Sequence, residues 1–207
     1  MYPTEPRFVS PRLFRTLVWI AFWATALSHV SGSAEASEPA GSWRLEKDFY
    51  LAAITNYVDA GGRSAAYDTF AATVELSVVP AGRPYYGGLF VDFRDSSSRH
   101  LDDNFNVGAY FRYNFVRWDS TAWLFSNQAP GGRNTWMYAA RLRYRLADSH
   151  KLGAEMLAPV STADRALLMF GYYGSPSESW TVKVLGGTGA GTAVDIAGRV
   201  EIAYRVR

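Results

Sequence analysis

The stretch WMYAARLRYRL (136–146) decides the fold. Arg141, Arg143 and Arg145 alternate with Leu142 and Tyr144, and the same parity runs back through Ala140, Tyr138 and Trp136. A helix turns about 100° per residue and would scatter these arginines around its circumference. A strand places every second residue on one face. The segment therefore reads as a strand with one apolar and one cationic face.

The same period recurs along the chain. Phe105, Val107, Ala109, Phe111, Tyr113 and Phe115 alternate with Asn106, Tyr110, Arg112 and Asn114. Near the end, Ile196, Val200, Ile202, Tyr204 and Val206 alternate with Arg199, Glu201 and Arg205. Residues 70–78 and 85–94 repeat the pattern around Glu75 and around Asp92 and Arg94. Weaker versions lie at 43–57, 120–126, 151–158, 166–173 and 180–186, which gives ten strands. The strands around Trp123 and Phe170 have the poorest pattern, and eight is the alternative count.

The first 36 residues stand apart. Arg7, Arg12 and Arg15 precede the apolar run 17–27, and Ala34-Glu35-Ala36 has the form of a signal-peptidase site. The run is too short for a spanning helix, which needs roughly 20 residues. The expected organisation is a signal peptide over 1–36, a short segment over 37–42 and a β domain over 43–207. The net charge of +2 gives no case for nucleic acid. The absence of cysteine excludes a disulfide framework and a thiolate metal site.

The connections carry independent information. Those after the odd strands read as longer and polar: VDAGGRSAA, DSSSRHLDDN, NQAPGGRN, VSTADR and GGTGAGTA. Those after the even strands read as tight: PAGRP, VRWD, ADSH and GSPSES. This asymmetry is the pattern of a transmembrane β-barrel, and Trp43, Trp118, Trp136 and Trp180 near strand ends suit its aromatic girdles. A soluble barrel would show the same alternation with the faces exchanged. It would also carry many surface lysines, and this chain has only Lys47, Lys151 and Lys183. Arginine on a lipid face near the midplane costs roughly 2–4 kcal/mol, so the cationic face is assigned to the lumen.

On these features residues 43–207 resemble the small bacterial outer-membrane β-barrel proteins. The resemblance rests on architecture, not on a motif. It implies an all-β, antiparallel, up-and-down transmembrane barrel in the outer membrane of a Gram-negative envelope. It also implies contact with lipid and lipopolysaccharide, and insertion by the barrel-assembly machinery. Members of this class usually finish on an aromatic residue, whereas this chain ends Tyr204-Arg205-Val206-Arg207.

Parity places Arg44, Glu46, Asp48, Glu75, Asp92, Arg94, Arg112, Arg141, Arg143, Arg145, Glu155, Lys183, Arg199, Glu201 and Arg205 in the lumen. Such a set either interlocks as ion pairs in a filled or narrow interior, as buried charges require, or lines a narrow anion-tolerant, porin-like pore. The catalytic alternative is a hydrolase with a surface-loop site at His100, beside Ser98, Asp102 and Asp103; His150 reads as a turn residue. No catalytic residue is assigned and no cofactor is expected. GGTGAGT (186–192) lacks the lysine and the following helix of a phosphate loop, and no metal motif is present. Arg63, Arg99, Arg133 and Arg165 fall in four outer connections, and guanidinium groups there suit lipopolysaccharide phosphates.

Overall fold

A computed structural model describes residues 42–97, 104–128, 134–162 and 165–206. The readings at 1–41, and at Arg99, His100 and Arg133, lie outside the described residues. The chain forms β1 (Trp43–Ala60), β2 (Arg63–Pro80), β3 (Tyr85–Ser96), β4 (Asn104–Asn114) and β5 (Trp118–Gln128). It continues through β6 (Asn134–Ala147), β7 (His150–Pro159), β8 (Ala166–Gly174), β9 (Trp180–Ala190) and β10 (Ile196–Val206). A short 3-10 turn, Val160–Thr162, follows β7.

Each strand pairs antiparallel with its neighbours in sequence, and β1 pairs with β10 from Phe49↔Val206 to Asp59↔Ile196. The sheet is therefore a closed barrel with no free edge. Closure satisfies the backbone hydrogen bonds of the wall internally, as a structure immersed in hydrocarbon must.

Register fixes the faces. Arg141 pairs with Thr121 on one side and Glu155 on the other, so these three share the inner face. Leu142 pairs with Ser120 and Ala154 on the outer face. The outer wall presents Leu89, Phe111, Leu124, Leu142, Phe170, Val184 and Ile202, all exposed. Phe170 is 61% exposed in a strand whose inward Met169 is 5% exposed. A contiguous apolar band of this kind marks a surface adapted to lipid. Charged residues of outward parity, such as Lys47, Asp59, Asp68 and Asp95, lie toward strand ends.

Aromatic residues gather at the short-turn end. Trp118 packs on Tyr144 and Trp180 on Tyr204, each at 4.8 Å between ring centroids. Tyr113 meets Phe115 at 4.3 Å, and Trp43 is exposed nearby at the start of β1. Rings with a polar edge suit the level where hydrocarbon gives way to headgroups.

Three expectations are corrected. The segment VDAGGRSAA is not a long loop. Gly61 and Gly62, with φ of 59° and 74°, make a two-residue turn, and Ala60 pairs with Arg63. Two successive positive φ values are the signature of a type I′ turn, whose twist matches that of the flanking strands. Arg63 is therefore the first residue of β2. Much of GGTGAGTA is likewise strand, because β9 runs to Ala190. His150 is the first residue of β7, where its Nδ1 lies 2.5 Å from the Tyr172 hydroxyl. A strand whose end leaves the membrane no longer needs an apolar face, so alternation fades before the ladder does.

Candidate functional site: the barrel interior

The inner face is built from three polar groupings separated by apolar side chains. Toward the outer end, Asp92 (4% exposed) accepts from Arg94 Nε at 2.7 Å, Asn106 Nδ2 at 2.9 Å and Thr73 Oγ1 at 2.8 Å. Asn127 Nδ2 donates in turn to Asn106 Oδ1 at 2.7 Å. Thr73, Asp92, Asn106 and Asn127 form one register row across β2 to β5, and Arg94 lies two residues along β3 from Asp92. A buried carboxylate is tolerated on such terms, with several donors replacing its lost hydration.

The second grouping lies toward the short-turn end. Asp119 accepts from Arg143 Nε at 2.6 Å through one oxygen and from Lys151 Nζ at 2.7 Å through the other. Asp119 pairs with Arg143 in the β5–β6 ladder, whereas Lys151 reaches across from β7. The third grouping straddles the closing seam. Lys183 Nζ meets Glu201 Oε1 at 2.7 Å, and Arg205 pairs with Asp48, which also accepts from the Tyr50 hydroxyl at 3.2 Å.

Between these groupings sit arginines held mostly by rings. Arg112 Nη1 donates to the Tyr86 hydroxyl at 2.6 Å, and its guanidinium lies over the Tyr86 and Tyr110 rings at 5.2 and 5.6 Å. Tyr110 itself bonds to Ser77. The Arg141 guanidinium lies 5.0 Å from the Trp123 ring and 3.9 Å from Glu155. The Nε atoms of both arginines are buried without an acceptor. Cation–π contacts of this kind contribute about 0.5–2 kcal/mol each, less than a bidentate carboxylate. Glu75 stands within the electrostatic reach of Arg112, Asp48 and Arg141.

Apolar side chains complete the interior. Ala52, Ile54, Ala71 and Ala203 form one inward cluster, and Met169, Tyr173 and Leu185 form another, with Leu167 against it. Phe90 and Phe125 meet edge to face at 5.9 Å. A hollow of about 600 Å³ in the wall is lined mainly by outward residues, among them Ala122, Ala140, Ala154 and Gly186, together with the inward Thr121, Arg141 and Glu155. The inward cavity found near the outer end measures about 120 Å³.

The charged positions assigned by parity are distributed as follows. Asp92 meets Arg94, Glu201 meets Lys183, Asp48 meets Arg205 and Glu155 approaches Arg141. Arg44 bonds to Glu46 at the rim, with its side chain 59% exposed. Arg145 is also exposed, beside a register shift where β6 leaves the ladder. Arg199 Nε donates to Asn56 Oδ1 at 3.2 Å. Arg63 and Arg165 are exposed at the outer end, and Arg165 N donates to the Thr162 carbonyl at 2.8 Å.

Asp119 and Lys151 were not singled out from the sequence. Asp119 sits in VRWD, where an aspartate reads as a turn former, and Lys151 follows the turn DSH. Trp123 and Phe125 were also missed as inward residues. Their strand alternates Thr121, Trp123 and Phe125 with Ala122 and Leu124, and neither face carries a charge there. Parity counted outward from Arg141 through the ladder would have recovered them.

No protein-family model matches the sequence, and no curated protein matches it. Solved structures of similar fold include the KdgM porin, with a TM-score of 0.48 and 11% identity, covering 78% of this chain and 100% of that one. The translocator domain of the autotransporter NalP from Neisseria meningitidis has a TM-score of 0.35 and 12% identity, covering 93% and 98%. The outer-membrane expressed OmpT of Vibrio cholerae has a TM-score of 0.35 and 8% identity, covering 83% and 99%. At these identities the likeness concerns the fold.

Proposed function

We propose that this chain is an integral outer-membrane barrel whose interior is a packed, ion-paired plug, so that it acts as a membrane-embedded scaffold and not as an open conduit. The apolar outer wall and the closed ladder support the membrane assignment. The observation that carries the plug is the Asp119 grouping, in which one buried carboxylate joins cations from two further strands across the inner face. The edge-to-face contact of Phe90 and Phe125 and the Met169, Tyr173 and Leu185 cluster fill space that a water-filled pore would leave free.

A narrow anion-tolerant pathway is the second reading. It draws on the arginines held mainly by rings or an amide: Arg112, Arg141, whose carboxylate partner Glu155 stands 3.9 Å away, and Arg199. Purified protein in planar bilayers separates the two. The plug is expected to give no steady conductance, with only brief and infrequent steps. Large anion-selective steps, diminished in a variant lacking Arg112 and Arg141, would overturn it in favour of the pathway.

A further inference from the structure

The inward cavity of about 120 Å³ lies at the outer end of the barrel and is bordered by Asn56, Tyr67, Thr69, Arg94, Asn104 and Arg199. It brings two guanidinium groups from β3 and β10 to one small space. The nearby carboxylates are already engaged. Asp92 holds Arg94, Asn106 and Thr73, and Glu201 holds Lys183. Among the described residues no carboxylate lies within ion-pair distance of Arg199, whose partner is the neutral Asn56 oxygen. Asn56 is itself 7% exposed and passes its amide on to Thr69 at 3.4 Å.

We infer that this cavity is a binding site for a single oxyanion group, a carboxylate or a phosphate, taken from solutes outside the cell. Arg199 has no carboxylate in contact and is felt by Glu201 and Glu155 only at a distance, and a guanidinium fork matches the two oxygens of such a group. The volume equals that of about four waters, which admits one oxyanion head and no large ring system beside it. Tyr67 and Asn104 add neutral polar groups to the lining. Ile54 lines the cavity too, and its cluster with Ala52, Ala71 and Ala203 lies toward the short-turn end. An apolar floor leaves the outer end as the entrance. The ligand binds and leaves on the same side, a feature that rests on the plugged interior proposed above.

The test is a titration of the folded, detergent-solubilised protein with acetate, inorganic phosphate and neutral acetamide, followed by amide chemical shifts in nuclear magnetic resonance. Saturable shifts at Asn56 and Arg199 are expected with acetate and phosphate and not with acetamide. Arg199→Gln should weaken binding by roughly tenfold or more, since a charge-assisted bond is lost. Arg199→Lys should fall between, and Arg83→Gln in an exposed turn should match the wild type. The dispersed amide spectrum of each variant reports whether the barrel is intact. Absence of saturable shifts, or equal affinity in an intact Arg199→Gln barrel, overturns the site. Conductance in the presence of a bound oxyanion would leave the site standing and remove the plug, so the two failures are distinguishable.

Discussion

Replacing Asp119 by alanine is expected to destabilise the barrel by about 3–5 kcal/mol, the cost of leaving buried cations without their partner. Asp119 is 5% exposed, and the side chains of Arg143 and Lys151 are only 17% and 22% exposed, so solvent does little to compensate them. Two cations on the inner face would then face each other with no charge between them. Asp119→Asn keeps the shape and one acceptor oxygen, so its loss should be smaller. The measurement is denaturant unfolding from lipid bilayers, comparing both variants with Asp148→Ala, a substitution in the exposed turn between β6 and β7. An Asp119→Ala barrel as stable as the wild type would show that the interior is wet enough to solvate both cations. That outcome would argue against a packed plug.

The second large effect belongs to the opposite face. Leu142→Arg puts a charge on the outer wall between two inward arginines, and near the midplane this should cost roughly 2–4 kcal/mol. Leu142 is 47% exposed on that face, so the penalty cannot arise from crowding in a core. Leu146→Arg, nearer the rim where the same substitution costs only about 0–1 kcal/mol, is the matched control. Equal stability of the two variants in bilayers would mean that depth along β6 has no energetic meaning, contrary to a membrane-spanning wall.

How much of this was legible depended on where charge falls. β4, β6 and β10 carry Arg112, the Arg141–Arg145 series and the Arg199–Arg205 series on one parity, so their faces could be read directly. β5 and β8 carry apolar residues on both faces, such as Trp123 against Leu124 and Met169 against Phe170. Only the ladder, which aligns Trp123 with Ala139 and Met169 with Glu155, assigns them. The length of the β1–β2 hairpin was hidden for a different reason. Its outer part includes Ser64, Ala65 and Ala66, which neither alternate nor signal a turn, although Gly61-Gly62 is itself a two-residue hairpin signal. The ion pairs were the least legible feature. Parity says that Asp92 and Arg94 share a face, but not that Asp92 also gathers Thr73 and Asn106 from neighbouring strands.

The apolar hollow on the outer wall has a simple origin in the same arithmetic. Ala122, Ala140, Ala154 and Gly186 occupy outward positions on β5, β6, β7 and β9, with Phe111 on β4 beside Ala122 and Phe170 on β8 between Ala154 and Gly186. Small side chains on several strands lower the wall beside these two rings.

The central claim is that the two faces of the sheet meet different media, lipid outside and a packed polar interior inside. Single cysteines at Leu142, Ile202, Arg143 and Glu201, introduced into the folded protein in bilayers, test it most directly with a membrane-restricted thiol probe. Cysteines at Leu142 and Ile202 should react, and those at Arg143 and Glu201, one residue away on the opposite face, should not. Reaction at Arg143 and Glu201 with protection at Leu142 and Ile202 would mean that the sheet is turned the other way, and the account would fail.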